Sequence, residues 1–273
     1  MSDIFKKLAE FKEENREGYF AVVIKTKGIT SCRPGAKMII LPDGKIEGTI
    51  GGGEVEHEII SMVKRGEISK PAVYTFNLTG KDFPENKNAI NLDSICGGLV
   101  EVFVEPIHTR TNLYIIGGGH CATELSALAS KCGFFVIVAD NREEWVSKEK
   151  HPFANKTIVC DYRNLKETLK FKPQDFAVIM TSKHTYDGEV LEQLLETELA
   201  YTGMMGSPHK VREIFNQLIE KGVPKNRLKK VYAPIGFPID SKTPAEIAVS
   251  ITAQLIAVRN NLKPIRFSSN PLL

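Results

Sequence analysis

The sequence lacks the marks of an exported, membrane-spanning or metal-scaffolded protein. Its five cysteines (Cys32, Cys96, Cys121, Cys132 and Cys160) are odd in number and include no CxxC pair. A zinc ribbon and a thioredoxin-like motif are therefore excluded as readings. With no export signal, these are expected to be free thiols in a reducing cytoplasm. No apolar run approaches the ~18 residues that would read as a bilayer span. The opening stretch "MSDIFKKLAEFKEENREGYF" has a charged amphipathic helix pattern, not that of a signal peptide. A formal net charge of +3 is too small to direct the chain to nucleic acid or to an anionic membrane. There is no internal repeat and no low-complexity segment. With 42% hydrophobic and 25% charged residues the composition is that of an ordinary globular protein. Its 273 residues suffice for one large domain or two modest ones.

The apolar pattern changes period near residue 110. Before it, Tyr19–Thr26, Lys37–Leu41, Ala72–Leu78 and Leu99–Pro106 read as strands, with "PDG" at Pro42–Gly44 as a turn. Glu54–Arg65 reads as a helix with Val55, Ile59, Met62 and Val63 on one face. Thr79–Asp93 is polar and aperiodic, which predicts a surface loop or lid. Together these make a small α+β domain over residues 1–108, followed by a polar linker, "HTRTN". From residue 112 to 273, strands and helices alternate: Phe134–Asp140, Thr157–Cys160, Phe176–Ser182, Leu199–Gly206 and "VYAP" are strands. Helices are expected near 121–131, 165–169, 188–197, 208–220 and 244–260. Strands apolar on both faces, separated by helices, predict a doubly wound, Rossmann-like parallel sheet.

Two glycine triplets stand in this frame. In "LYIIGGGHCATEL", Gly117, Gly119 and Ala122 fit G-x-G-x-x-A between a strand and a helix. There the first glycine permits a tight turn, the second admits an anion to the backbone, and the small third residue lets helix and strand pack closely. Asp140 ends the next strand, where an acid holds a ribose hydroxyl, and Arg142 would instead meet a 2′-phosphate. His120 lies in the loop itself. Two more loops belong at the same sheet edge. "TSKHTYDG" brings His184, read either as a ligand contact or as a surface histidine. "MGSPHK" offers Ser207 as N-cap and Pro208 at N1, with Lys210 adding charge. "TPAE" at Thr243–Glu246 is a capping box.

The first triplet, in "TIGGGEVE", runs into Glu54 and Glu56, and Glu56 is expected to face away from any bound anion. Nearby are "SCRPGAKM", with Arg33, Gly35 and Lys37, and "CGG", with Cys96 and Gly97. Cys96 reads equally as an activated thiol and as a small buried apolar residue.

Taken in order, "RPGAKMIILPDGKIEGTIGGGEVE", "CGG", "LYIIGGGHCATELSALA", "YTGMMGSPHKVREIF" and "APIGFPIDSKTPAEIAVSITAQLIAVR" resemble the XdhC/CoxI family over nearly the whole chain. These are the accessory factors of xanthine dehydrogenase and related molybdenum hydroxylases. The resemblance implies a cytoplasmic homodimer that is a carrier, not a catalyst of substrate turnover. It implies binding of molybdenum cofactor (molybdopterin, alone or in a dinucleotide form) while its sulfido ligand is installed. It implies a molybdenum hydroxylase and a cysteine desulfurase as partners. Carried over residue by residue, Arg33, Gly35, Lys37, Gly51, Gly52, Cys96 and Gly97 line a first site. Gly117, Gly119, His120, Asp140, His184 and Ser207 line a second. Glu54 stands where relatives carry a cysteine, which leaves Cys96, and after it Cys32, as thiol ligands to the metal. Two other classes remain open: an NAD(P)-dependent oxidoreductase, and a nucleotide-binding sensor without catalysis.

Overall fold

The computed structural model describes residues 3–79, 89–92, 97–182 and 184–263, the side chains of His184 and Thr185 excepted. Cys96 and most of the expected lid therefore lie outside the described residues. The chain divides into two units, Met1–Thr109 and Arg110–Leu273.

The first unit contains α1 (Ile4–Glu13), β1 (Gly18–Gly28), β2 (Lys37–Ile40), β3 (Ile46–Thr49), α2 (Gly53–Lys64), β4 (Ala72–Asn77), β5 (Ile90–Asn91) and β6 (Gly98–Ile107). They form one sheet in the order β3-β2-β1-β6-β4-β5. All pairs are antiparallel except β4 with β5. Alternation along the strands covers both faces. Ala21, Val23, Met38, Ile40, Val100 and Val102 pack on Val55, Ile59, Met62 and Val63 of α2. On the opposite face Phe20, Ile39 and Ile107 meet Phe11 of α1. The expected apolar face of α2 is thus the one buried. The short β3 and β5 have too few alternating residues to stand out from their turns.

The second unit contains β7 (Asn112–Ile116), α3 (His120–Lys131), β8 (Phe135–Asp140), β9 (Lys156–Val159), α4 (Leu165–Thr168), β10 (Phe176–Ile179), α5 (His184–Leu195), β11 (Tyr201–Met204), α6 (Pro208–Glu220), α7 (Lys225–Leu228) and α8 (Pro244–Arg259). Its five strands are all parallel, in the order β9-β8-β7-β10-β11. The chain thus builds outward from β7 to β9, then crosses back to add β10 and β11 on the other side. That reversal between β7 and β10 is the switch point where doubly wound sheets bind ligands. Leu113 and Ile115 of β7 face one core with α3 and α8, while Tyr114 and Ile116 face another with α4, α5 and α6. A sheet covered on both sides explains the unbroken apolar strands. "VYAP" does not extend the sheet beyond one bridge, Gly203 to Tyr232. No described helix is long and apolar enough to cross a membrane.

Candidate functional site

The turn after β7 is shaped by backbone crowding. Gly117 adopts φ +113°, and a Cβ there would overlap the Met180 carbonyl at the end of β10. Its N–H donates to the Ala139 carbonyl at 2.7 Å. Gly118 lies against the Trp145 carbonyl, which occupies the place of a Cβ. Gly119 is different: its φ is −69°, and nothing lies within 4 Å of where a Cβ would stand. It is the N-cap of α3 and makes no side-chain cap, so the free amides of the first turn are offered to a ligand. Gly119 is therefore the open member of the triplet, and Gly117 the one that fixes the turn.

Asp140 does not present the open acceptor expected of it. The residue is 0% exposed and both carboxylate oxygens are taken. The Gly118 amide donates to Oδ2 at 2.7 Å, and Arg142 donates from its backbone N (3.0 Å) and Nε (2.9 Å) to Oδ1 and from Nη2 (2.9 Å) to Oδ2. Burial alone would raise the carboxyl, but the Arg142 guanidinium and these amides hold it below the usual carboxylate range. Asp140 clamps the glycine turn, and the outward group at the end of β8 is Arg142. Sequence spacing identifies the acid but not the arginine fork that occupies it.

Arg142 leads to a cluster that sequence reading missed. Its guanidinium carbon lies 5.0 Å from the ring centre of Trp145, the ammonium of Lys150 lies 3.9 Å from the same centre, and His120 meets the ring edge-on at 5.3 Å. Beneath them His151 is fully buried. Its Nε2 lies 3.1 Å from both the Gly118 and Trp145 carbonyls, which assigns the proton to Nε2, and its Nδ1 lies 3.3 Å from Ser126 Oγ. Burial lowers its pKa from 6.5, against the pull of those carbonyls. The unfolded chain accepts a proton near pH 6.5 that the folded one resists, so stability falls as pH drops below about 6.5. Urea unfolding between pH 7.5 and 5 should show this decline, and His151→Gln should flatten it. An unchanged slope in the variant would mean that other groups carry it.

Across the switch point, Asp187 and Lys210 form a buried pair, 0% and 13% exposed. Thr181 donates to Asp187 Oδ1 from its backbone N (3.1 Å) and Oγ1 (2.7 Å), and Lys210 Nζ also donates to the Met205 carbonyl at 3.1 Å. Ser207 caps α6 by accepting from the Lys210 N–H at 3.3 Å, with Pro208 in the first turn. The capping box of α8 is also formed, by Thr243 and Glu246. His184 opens α5, but its side chain lies outside the described residues. Cys160 is pushed up to about 12 and Cys121 is also raised, in both cases by burial, so neither is an activated thiol.

In the first unit, the β1–β2 connection touches both other loops. Ile29 N–H donates to the Gly97 carbonyl at 3.4 Å, and a Cβ on Gly51 would come within 2.8 Å of Cys32 Cα. Arg33 is exposed on that connection. Lys37 is already engaged: Nζ donates to the Gly35 carbonyl at 2.7 Å and lies 5.4 Å from the Phe5 ring centre. Gly51, Gly52 and Gly53 all have positive φ (131°, 68° and 71°), a path that needs three glycines. The expected outward orientation of Glu56 is overturned. Its Oε2 turns back to accept from Thr49 Oγ1 (2.5 Å), Ile50 N (3.0 Å) and Gly52 N (3.3 Å). A carboxylate of the chain itself thus occupies the amide nest that the glycine run creates. Glu56→Ala should cost about 1–3 kcal/mol in urea unfolding, because the donors lose a charged acceptor. A cost near zero would mean that water replaces it. Glu54 is exposed at the start of α2 and lines a shallow cavity of about 380 Å³ with His57 and Glu58. Cys32 is 3% exposed within the core under α2, so its thiol is not available to a ligand. Among the described residues no group of three or more His, Cys, Asp or Glu is placed to hold a metal ion.

Comparison with known proteins adds the lineage. A family model described as the XdhC Rossmann domain matches residues 113–255, more than half of the chain, and one described as the XdhC and CoxI family matches residues 11–69. The chain belongs to the XdhC/CoxI family. It is 32% identical over 261 residues to the uncharacterized protein YqeB of Escherichia coli, covering 95% of this chain and 47% of that one. It is 28% identical over 161 residues to a Bacillus subtilis protein described as a probable xanthine dehydrogenase subunit, covering 59% of this chain and 47% of that one. The chain thus spans about half the length of these curated relatives. A Bacillus halodurans structure described as a xanthine dehydrogenase shares the fold over 100% of both chains, with TM-score 0.52 and 23% identity. In XdhC/CoxI terms, the match over 113–255 takes in the Gly117–Gly119 turn, the Asp140–Arg142 clamp and the Asp187–Lys210 pair.

Proposed function

We propose that this chain is a molybdenum-cofactor-binding accessory protein that supports sulfuration of the cofactor and its insertion into xanthine dehydrogenase or a related molybdenum hydroxylase. The observation that carries this reading is the open Gly119 turn at the switch point of a chain of the XdhC/CoxI family. Similarity to the Bacillus subtilis protein described as a probable xanthine dehydrogenase subunit supports the same client.

The chemistry of the residues fits one end of such a cofactor. A phosphate, whether of molybdopterin or of its dinucleotide form, suits the amides at Gly119–Cys121 at the α3 N-terminus. No thiolate for the metal is found among the described residues at this turn. Cys32 is buried in the first unit, Cys121 and Cys160 are raised by burial, and Cys132 caps the far end of α3. Among the described residues the grip is on the phosphate end, and Cys96 lies outside them. A homodimer, a cysteine desulfurase partner and a cytoplasmic setting belong to the same proposal.

The test is to purify the protein from cells that make the cofactor, then measure molybdenum by mass spectrometry and pterin by fluorescence after oxidation. Co-purifying pterin that is lost in Gly119→Val is the expected result. The strand order and glycine turn also favour a second reading, an NAD(P)-dependent oxidoreductase. Absence of pterin together with tight NAD(H) binding and hydride transfer would replace the first reading with that one. Nucleotide binding with neither pterin nor turnover would leave a sensor.

A further inference from the structure

The segment "APIGFPIDSKTPAEIA" is absorbed neither by the glycine turn nor by the Asp140 clamp, yet the fold invests buried polar groups in it. Gln254, fully buried on α8, holds Gly236 at both ends: its Nε2 donates to the Gly236 carbonyl at 2.9 Å, and its Oε1 accepts from Gly236 N–H at 3.0 Å. The same Oε1 accepts from Tyr201 O–H at 2.6 Å, and Ser250 Oγ donates to the Phe237 carbonyl at 2.8 Å. The backbone groups of Gly236 and Phe237 are thus held to α8 and satisfied. On another side the segment presents Pro234, Ile235 and Ile247 beside Ser241.

That side walls a cavity of about 220 Å³ at the carboxyl end of β11. Met205, Gly206, Pro208, Pro234, Ile235 and Ile247 line it together with two serines, Ser241 and Ser250. Two of these residues rest on the Lys210 side chain of the ion pair. Met205 accepts from Lys210 Nζ, and Gly206 lies so close over the Lys210 stem that a Cβ would come within 2.8 Å of its Cδ.

The cavity is joined to the glycine turn by a continuous set of contacts across three strand ends. Gly117 abuts the Met180 carbonyl and Thr181 N, Thr181 donates to Asp187, Asp187 pairs with Lys210, and Lys210 supports Met205. β7 and β11 are separated by β10 alone, so the span is two strand spacings, roughly 10 Å. A phosphate on the Gly119–Cys121 amides and a flat ring in the cavity would be bridged by one sugar-sized unit. Pockets for whole drug-sized ligands run from about 300 Å³ upward, so this smaller cavity takes one ring system and not an entire nucleotide. Its apolar side chains suit the faces of a flat uncharged ring, and Ser241 and Ser250 are the polar members of the lining for the ring's polar edge.

We propose that the cavity between Met205, Pro234 and Ile247 seats the planar heteroaromatic ring of the ligand whose phosphate rests on the Gly117–Gly119 turn. The inference rests on the proposed cofactor-binding role, with the ring being that of the pterin. It makes the signature block between Pro234 and Ile247 a binding wall, and makes the Asp187–Lys210 pair the support that keeps phosphate and ring subsites in register.

The test titrates the full chain with anaerobically prepared molybdopterin and, separately, with inorganic pyrophosphate. Binding is followed by calorimetry and by NMR of isoleucine methyls and backbone amides. In the wild type, molybdopterin should move the methyl signals of Ile235 and Ile247 and the amides of Gly119 and His120, whereas pyrophosphate should move the amides alone. Ile247→Trp, which fills the cavity, should weaken molybdopterin by at least about tenfold while leaving pyrophosphate within about twofold. Unmoved Ile235 and Ile247 methyls beside shifted Gly119 and His120 amides would overturn the ring placement even if the tryptophan variant failed to fold. Equal molybdopterin affinity in wild type and variant would overturn it as well. Failure of the wild type to bind either probe would instead refute the cofactor-binding role, and the ring placement with it.

Discussion

Gly117→Ala is expected to destabilise the second unit by about 3 kcal/mol or more, which for a unit of this size lowers its melting temperature by roughly 6–12 °C. Two independent terms add. The residue sits at φ +113°, a region that L side chains rarely adopt, and its Cβ would overlap backbone, not a movable side chain. Relief would require moving the end of β10, which is hydrogen-bonded to β7 through Met180 N and Ile116 O at 2.8 Å. Gly119→Ala is the control. With φ at −69° and open space around the new methyl, it should change stability by no more than about 0.5 kcal/mol. The readout is at hand because the chain has one tryptophan, Trp145, in the second unit with its carbonyl against Gly118. Its fluorescence follows the unfolding of that unit apart from the first. If Gly117→Ala melts like the wild type, the turn is not fixed by this contact, and its glycine would be explained by ligand access alone.

The contrast between these two glycines marks the limit of what a sequence discloses. The G-x-G-x-x-A pattern is local, so a strand, a turn and a helix start can be read together from one stretch. The apolar face of α2 and the start of α6 at Ser207–Pro208 are local in the same sense, and both stand in the structure as expected. Which glycine is structural and which is open depends on β10, about sixty residues away, and cannot be read from the motif. Glu56 is a sharper case. A carboxylate in the first turn of a helix reads as a solvated face or an ordinary dipole partner. Only the three successive positive φ angles of Gly51–Gly53 bring the amides of Ile50 and Gly52 round to it. The Asp140 reading failed for a related reason: the spacing from Gly117 is correct, but the occupant of its oxygens is Arg142, and burial is not visible in a linear pattern. His151 carried no signal at all, being a lone histidine whose carbonyl partners, Gly118 and Trp145, become neighbours only on folding.

Lys210→Met is expected to cost about 3–5 kcal/mol, the range for removing one partner of a buried ion pair. Methionine keeps the length and much of the volume of the stem under Gly206, so packing there is retained and the loss reports the charge. Asp187 is 0% exposed; Thr181 serves its Oδ1, and Lys210 is the cation on its Oδ2. Without that ammonium a carboxylate is left in a site that water does not reach. The discriminating measurement is a double-mutant cycle. Asp187→Asn alone keeps an acceptor for Thr181 but leaves the ammonium facing an amide. Combining it with Lys210→Met removes both charges, so the double variant should be markedly more stable than the sum of the single losses predicts, by about 1–3 kcal/mol. Additive losses would mean that the two groups do not act on each other. The same cycle bears on the ligand. If the pair is the support that joins the glycine turn to the Met205 cavity, the double variant should fold yet lose the coupling between the subsites, binding pyrophosphate as before and molybdopterin more weakly. A double variant that folds and binds both as the wild type does would confine the pair to stability, and would leave the positioning of the ring to the Gln254-held wall alone.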